Sequence, residues 1–131
     1  MTPENLKKRS KQFALSVFDL IDDLPNSAKG RMVANQLGRS ASSVGANYRA
    51  VCRARSDAEF ISKMGTVIEE ADESAYWLEL IIEEKILSQK EVLPMLNEAN
   101  ELLAIFCASR TTARKNTATQ QSKIKNRKSE I

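Results

Sequence analysis

Apolar residues recur at helical spacing along most of the chain. Leu6, Phe13, Val17, Leu20 and Leu24 follow one another at threes, fours and a seven, which is one face of a helix. Thr2 suits its N-cap, Pro3 its first position, and Glu4 the positive end of its dipole. The pattern stops at Leu24-Pro25, because proline disfavours the α region for the residue before it. A second helix is predicted from about Ser27 to Arg53, with Val33, Leu37, Val44, Tyr48 and Val51 inward and Ser40 or Ala41 filling the missing turn. A third opens at the capping box Ser56-Asp57-Ala58-Glu59 and reaches about Lys85, roughly 40 Å. Its inner stripe is Phe60, Met64, Val67, Ala71, Leu78 and Ile82, widened by Ile61, Ile68, Ala75 and Ile81. The fourth begins at Ser88-Gln89-Lys90-Glu91 and turns Val92, Leu96, Ala99, Leu103, Phe106 and Cys107 inward. Pro94 predicts a kink or a tight first turn there.

Four amphipathic helices with short connections predict an all-α fold, an antiparallel up-down four-helix bundle over residues 1–110. The remainder, TTARKNTATQQSKIKNRKSEI, has almost no apolar content. It is expected to be a mobile basic tail over 111–131, its first part able to extend the fourth helix. Composition agrees with one helical domain: 131 residues, 42% hydrophobic, 5% aromatic, four Gly and three Pro.

Three of those glycines, Gly30, Gly38 and Gly45, lie in the second helix, where each costs about 1 kcal/mol against alanine. Gly38, Ser42, Gly45 and Arg49 share a strip beside the apolar line. So small a strip admits close packing of a neighbouring helix, the commoner use, or the approach of a phosphate.

The chain contains no histidine, so no Ser-His-Asp or Cys-His nucleophile, His-bound zinc or Glu-x-x-His di-iron site is available. Cys52 and Cys107 are expected to be buried small apolar residues. Glu70 and Glu73 have a three-residue spacing that is ordinary on an exposed helix. No enzymatic activity, metal or cofactor is expected. No export-type segment opens the chain and no eighteen apolar residues run together, so the expectation is a cytoplasmic protein without a membrane partner.

A net charge of +3 conceals segregation. Residues 27–55 carry six cations and no acid, whereas residues 56–85 carry nine acids against Lys63 and Lys85. Neighbouring second and third helices, or a contact between subunits, would let these charges complement each other. The up-down topology also gathers Lys7, Lys8, Arg9, Lys11, Arg49, Arg53, Arg55, Lys63 and Arg110 at one pole, continued by Arg114 and Lys115 in the tail. Asp19, Asp22, Asp23, Glu79, Glu83, Glu84 and Glu91 gather at the other. A concentrated basic end suits phosphate backbones. Helix dipoles account for cations at the ends of the second and fourth helices, but not for Lys7, Lys8 and Arg9 at a positive end. No aromatic is interleaved, so the expectation is RNA or DNA binding with low sequence specificity.

Tyr76, Trp77 and Leu80 lie off the inner stripe of the third helix. They cover the edge of their own core or form a subunit contact, where Trp and Tyr are enriched. With the strip Gly38, Ser42 and Gly45 as a second patch, they predict a homo-oligomer.

Three stretches carry a family resemblance together: QLGRSASSVGANYRA from Gln36, SDAEFISKM from Ser56 and EEADESAYWLEL from Glu69. They resemble the bacterial four-helix-bundle family of 23S rRNA intervening-sequence proteins, which also contains the accessory variability proteins of diversity-generating retroelements. The resemblance runs from about Phe13 to Arg110. It implies an antiparallel four-helix protomer, a pentameric barrel with a positively charged surface, and no catalytic residues. Retroelement members bind nucleic acid and a reverse transcriptase; the ribosomal-gene members have no established activity. Arg39, Arg49 and Lys63 fall inside the matching blocks and take on the family's surface-charge role by that resemblance. The expectation is a non-enzymatic, homo-oligomeric accessory protein binding nucleic acid through its backbone. The alternative is a scaffold docking a basic partner such as a reverse transcriptase.

Overall fold

The computed structural model describes residues 1–129. Helix α1 spans Pro3–Ile21, α2 Ala28–Val51, α3 Asp57–Glu83 and α4 Gln89–Ser129. Side chains cap the helices where the sequence placed them: Thr2 Oγ1 accepts from Asn5 N–H at 3.1 Å, Ser27 Oγ from Gly30 at 3.1 Å, Ser56 Oγ from Glu59 at 3.1 Å and Ser88 Oγ from Glu91 at 3.3 Å. The Glu91 N–H also donates to the Ser88 carbonyl at 3.1 Å, the tight first turn ahead of Pro94.

The helices alternate in direction and each packs on the next, with α1 closing the ring against α4. All five apolar-line positions of α2 are buried, together with both Ser40 and Ala41, as are Phe13 and Val17 on α1 and Met64, Val67, Ala71 and Leu78 on α3. Tyr48 and Phe106 meet across the middle, ring centroids 5.4 Å apart, joining α2 to α4. Burial and the neighbouring Cys52 thiol push the Tyr48 phenol well above its ordinary value.

Two close approaches are built from small residues. Ser74 Oγ on α3 lies 3.0 Å from Ser40 Oγ on α2, both buried. Gly45 sits so near α1 that a Cβ there would lie 3.4 Å from the Ser10 backbone, and a Cβ on Gly38 would lie 3.4 Å from Ile21 Cδ1. Gly38 and Gly45 thus let α2 pack closely on α1 inside the chain. At the other end of α2, Gly30 faces the Pro25 carbonyl, which a Cβ would approach to 2.0 Å.

Several expectations are corrected. On α4, Leu102 rather than Leu103 is fully buried, because Ala99, Leu102 and Phe106 keep the three-and-four spacing of the buried face. Cys52 is exposed as the C-cap of α2, and Cys107 is half-buried. As allowed for its first part, the segment after Arg110 continues α4, which is helical as far as Ser129. That segment contains no Gly or Pro, and adding a residue to a formed helix is far easier than starting one. Glu130 and Ile131 lie outside the described residues. Among the described residues, no helix is long and apolar enough to cross a membrane.

Candidate nucleic-acid interface

The starts of α1 and α3 and the end of α2 share one pole, and α4 runs out past it. Between α1 and α2 at that pole lies an open cleft of about 410 Å³. Its floor is small (Ala14, Ser42, Gly45, Ala46) because the helices approach closely there. Lys7, Lys11 and Arg49 stand around it. A second cleft of about 170 Å³ shares Lys7 and Arg49 and adds Cys52 and Arg53. Four cations therefore surround two adjoining clefts, and Glu4, 3.3 Å from Lys7, is the single carboxylate in ion-pair contact with any of them among the described residues.

Not all predicted cations belong to this surface. Arg9 turns to the opposite flank of α1, where its Nε and Nη2 donate to Glu98 of α4 at 2.8 and 2.6 Å and Nη2 also lies 2.9 Å from Glu101. These carboxylates hold the guanidinium even more firmly protonated than usual. Arg9 is a clasp between α1 and α4 and lies outside the cleft. Arg39 lies mid-bundle and bonds Glu73 and, at 3.3 Å, Glu70, both on α3. That contact keeps the Glu73 carboxyl below its ordinary range, and Arg39 does not line either cleft. Lys63 and Arg55 flank Glu59 at 3.8 and 4.0 Å. Lys8, Lys11, Arg49, Arg53, Arg114 and Lys115 are exposed and have no ion-pair partner among the described residues. Arg110 is half-buried, and its Nε is covered without a hydrogen-bond partner.

Apart from Met1 and Ile124, the exposed large apolar side chains lie in the opposite half of the bundle. Tyr76 is 53% exposed and Met32 54%, and Leu15, Phe18 and Leu93 are also uncovered. Tyr76 packs edge-on against Trp77, whose Nε1–H donates to Glu73 at 3.3 Å. Trp77 and Leu80 are half-buried and line a cleft of about 280 Å³ with Met32, Val33 and Ile86. Sequence reasoning passed over Met32, Leu15 and Phe18, although Leu15 and Phe18 lie off the apolar line of α1. Along the outer face of α3, Glu69, Asp72, Glu79 and Glu83 are exposed around Tyr76 at helical spacing.

Comparison with known proteins agrees with this architecture. Residues 4–108 match the 23S rRNA-intervening sequence protein family. A solved structure from Bacteroides thetaiotaomicron VPI-5482, described as a protein of unknown function from the S23 ribosomal protein family, is 31% identical, with a TM-score of 0.74 over 80% of this chain and 97% of that one. No curated protein matches the chain.

Proposed function

The chain belongs to the 23S rRNA-intervening sequence protein family, and on that premise we propose a non-enzymatic, homo-oligomeric nucleic-acid accessory protein that grips phosphate backbones electrostatically. One observation carries this reading: Lys11, Arg49 and Arg53 stand unpaired around two adjoining clefts that share Lys7 and Arg49, while Arg9 and Arg39 are held by carboxylates. Unpaired cations around adjoining clefts concentrate the field there and exchange counterions for phosphates.

Assembly is supported by the distribution of exposed apolar groups. Leu15, Phe18, Met32, Tyr76 and Leu93 all lie in the half away from the basic pole. Copies joined through that half leave their basic ends together at one rim, and a closed ring, the pentamer favoured by the family resemblance, uses two different patches on each copy. A second reading is favoured by the acidic outer face of α3 with Tyr76 at its centre, which suits a basic protein partner such as a reverse transcriptase. Light scattering of the purified protein, followed by anisotropy titration with labelled RNA and DNA over a salt series, tests the proposal. Assembly with salt-sensitive binding to both supports it. A monomer, or no binding at low salt, counts against it, and a basic protein that co-purifies after nuclease treatment moves the function to α3.

A further inference from the structure

Between Glu101 and Glu130 the chain carries seven cations and no carboxylate, and this stretch is one uninterrupted helix to Ser129. From Arg110 onward it extends for about 30 Å. The family match ends at residue 108, so the arm lies outside the matched region. Its root rests against the start of α3: Asp57 shares a cleft with Asn116, Thr119, Gln120 and Lys123. Residues 118–127 are exposed on every side.

Such a surface selects its partner by what it lacks. Protein contacts bury an apolar centre, and membrane-surface helices bury an apolar face. The arm offers neither: Ile124 is its single large apolar residue. It also carries no aromatic on which a base could stack. A partner that needs no apolar burial and supplies dense, regularly spaced negative charge is a nucleic-acid backbone. We propose that the arm, residues 111–129 of α4, is a second phosphate-backbone contact, separate from the α1–α2 cleft, through Arg114, Lys115, Lys123 and Arg127. The inference rests on the nucleic-acid reading above and adds to it a second binding site.

The test replaces these four residues with glutamine in the full chain (R114Q, K115Q, K123Q, R127Q), a change that removes charge and keeps helix propensity nearly level. Circular dichroism and light scattering establish that helix content and mass are unchanged. Binding to a short labelled DNA duplex and to its RNA counterpart is then measured over a salt series. The expected result is about tenfold weaker binding at moderate salt, with the DNA salt slope flattened by about 0.9 for each phosphate that the variant no longer neutralises. Equal affinity and slope in variant and parent overturn the arm while leaving the cleft reading intact. Failure of the parent itself to bind overturns both. A variant with altered mass but unaltered binding assigns the arm to the association of copies and overturns the proposal.

Discussion

Arg9 and Glu98, 89 residues apart in sequence, form a two-pronged ion pair that clasps α1 to α4. The side chains are only 22% and 29% exposed, so the pair is partly shielded from water. The seam it closes is the sparsest of the bundle, because α1 meets α4 over less of its length than it meets α2. Replacing Arg9 with Ala is expected to lower stability by about 1–2 kcal/mol in urea unfolding. Nucleic-acid affinity should stay at the parental level, since this guanidinium is already occupied. A large drop in affinity with intact folding would return Arg9 to the binding surface.

Two helical glycines should respond in opposite directions to alanine. Gly30→Ala drives a methyl into the Pro25 carbonyl and should cost about 2 kcal/mol or more. Gly65 on α3 has nothing within 4 Å of an added Cβ, so Gly65→Ala should stabilise by about 0.5–1 kcal/mol through helix propensity. Chemical denaturation of both variants checks the pair of signs.

Helix α3 ends in a Schellman turn: Ile86 N–H donates to the Ile81 carbonyl at 2.9 Å and Lys85 N–H to Ile82 at 3.0 Å. Lys85 sits at the left-handed position with φ 57°, where a side chain is strained. Lys85→Gly should therefore raise stability by about 0.5–1 kcal/mol, the gain being reduced by glycine's freedom when unfolded. A lower denaturation midpoint would mean that the lysine side chain makes up for the strain.

At the acidic pole, the Asp23 carboxyl raises the Glu91 carboxyl above its ordinary range. A raised carboxyl favours the protonated folded state, so its contribution is present at low pH and lost as pH rises through its folded value. At neutral pH the pair is a repulsion between the end of α1 and the start of α4. Asp23→Asn is expected to raise Tm at neutral pH, with the gain fading as pH falls through the raised Glu91 value. Glu73 behaves oppositely: Arg39 lowers its carboxyl, and that contribution is lost as pH falls through the lowered value. A Tm gain for Asp23→Asn that persists unchanged in acid would point to packing rather than charge.

Most of the fold was legible because its signals are local. The N-caps and the α2 apolar line involve residues within one or two turns, and each appears where spacing placed it. The cation roles were less legible, since they depend on long-range partners. Arg9 and Lys7 look alike in sequence, but one faces Glu98 across the bundle and the other borders the cleft. Likewise the glycine strip reads equally well as an internal or external contact until α1 is placed against Gly45. The length of α4 past Arg110 is not set by apolar spacing, which governs packing, but by helix propagation.

The most direct test compares the parent with a Lys11→Gln, Arg49→Gln, Arg53→Gln variant in anisotropy titrations against labelled DNA duplex over a salt series. If the cleft between α1 and α2 holds the backbone, the parent's affinity falls steeply with salt, and the variant binds more weakly with a slope flatter by about 2.7, or about 0.9 for each of three phosphates. A variant with the parent's affinity and slope would contradict the account and place the interface elsewhere on the molecule.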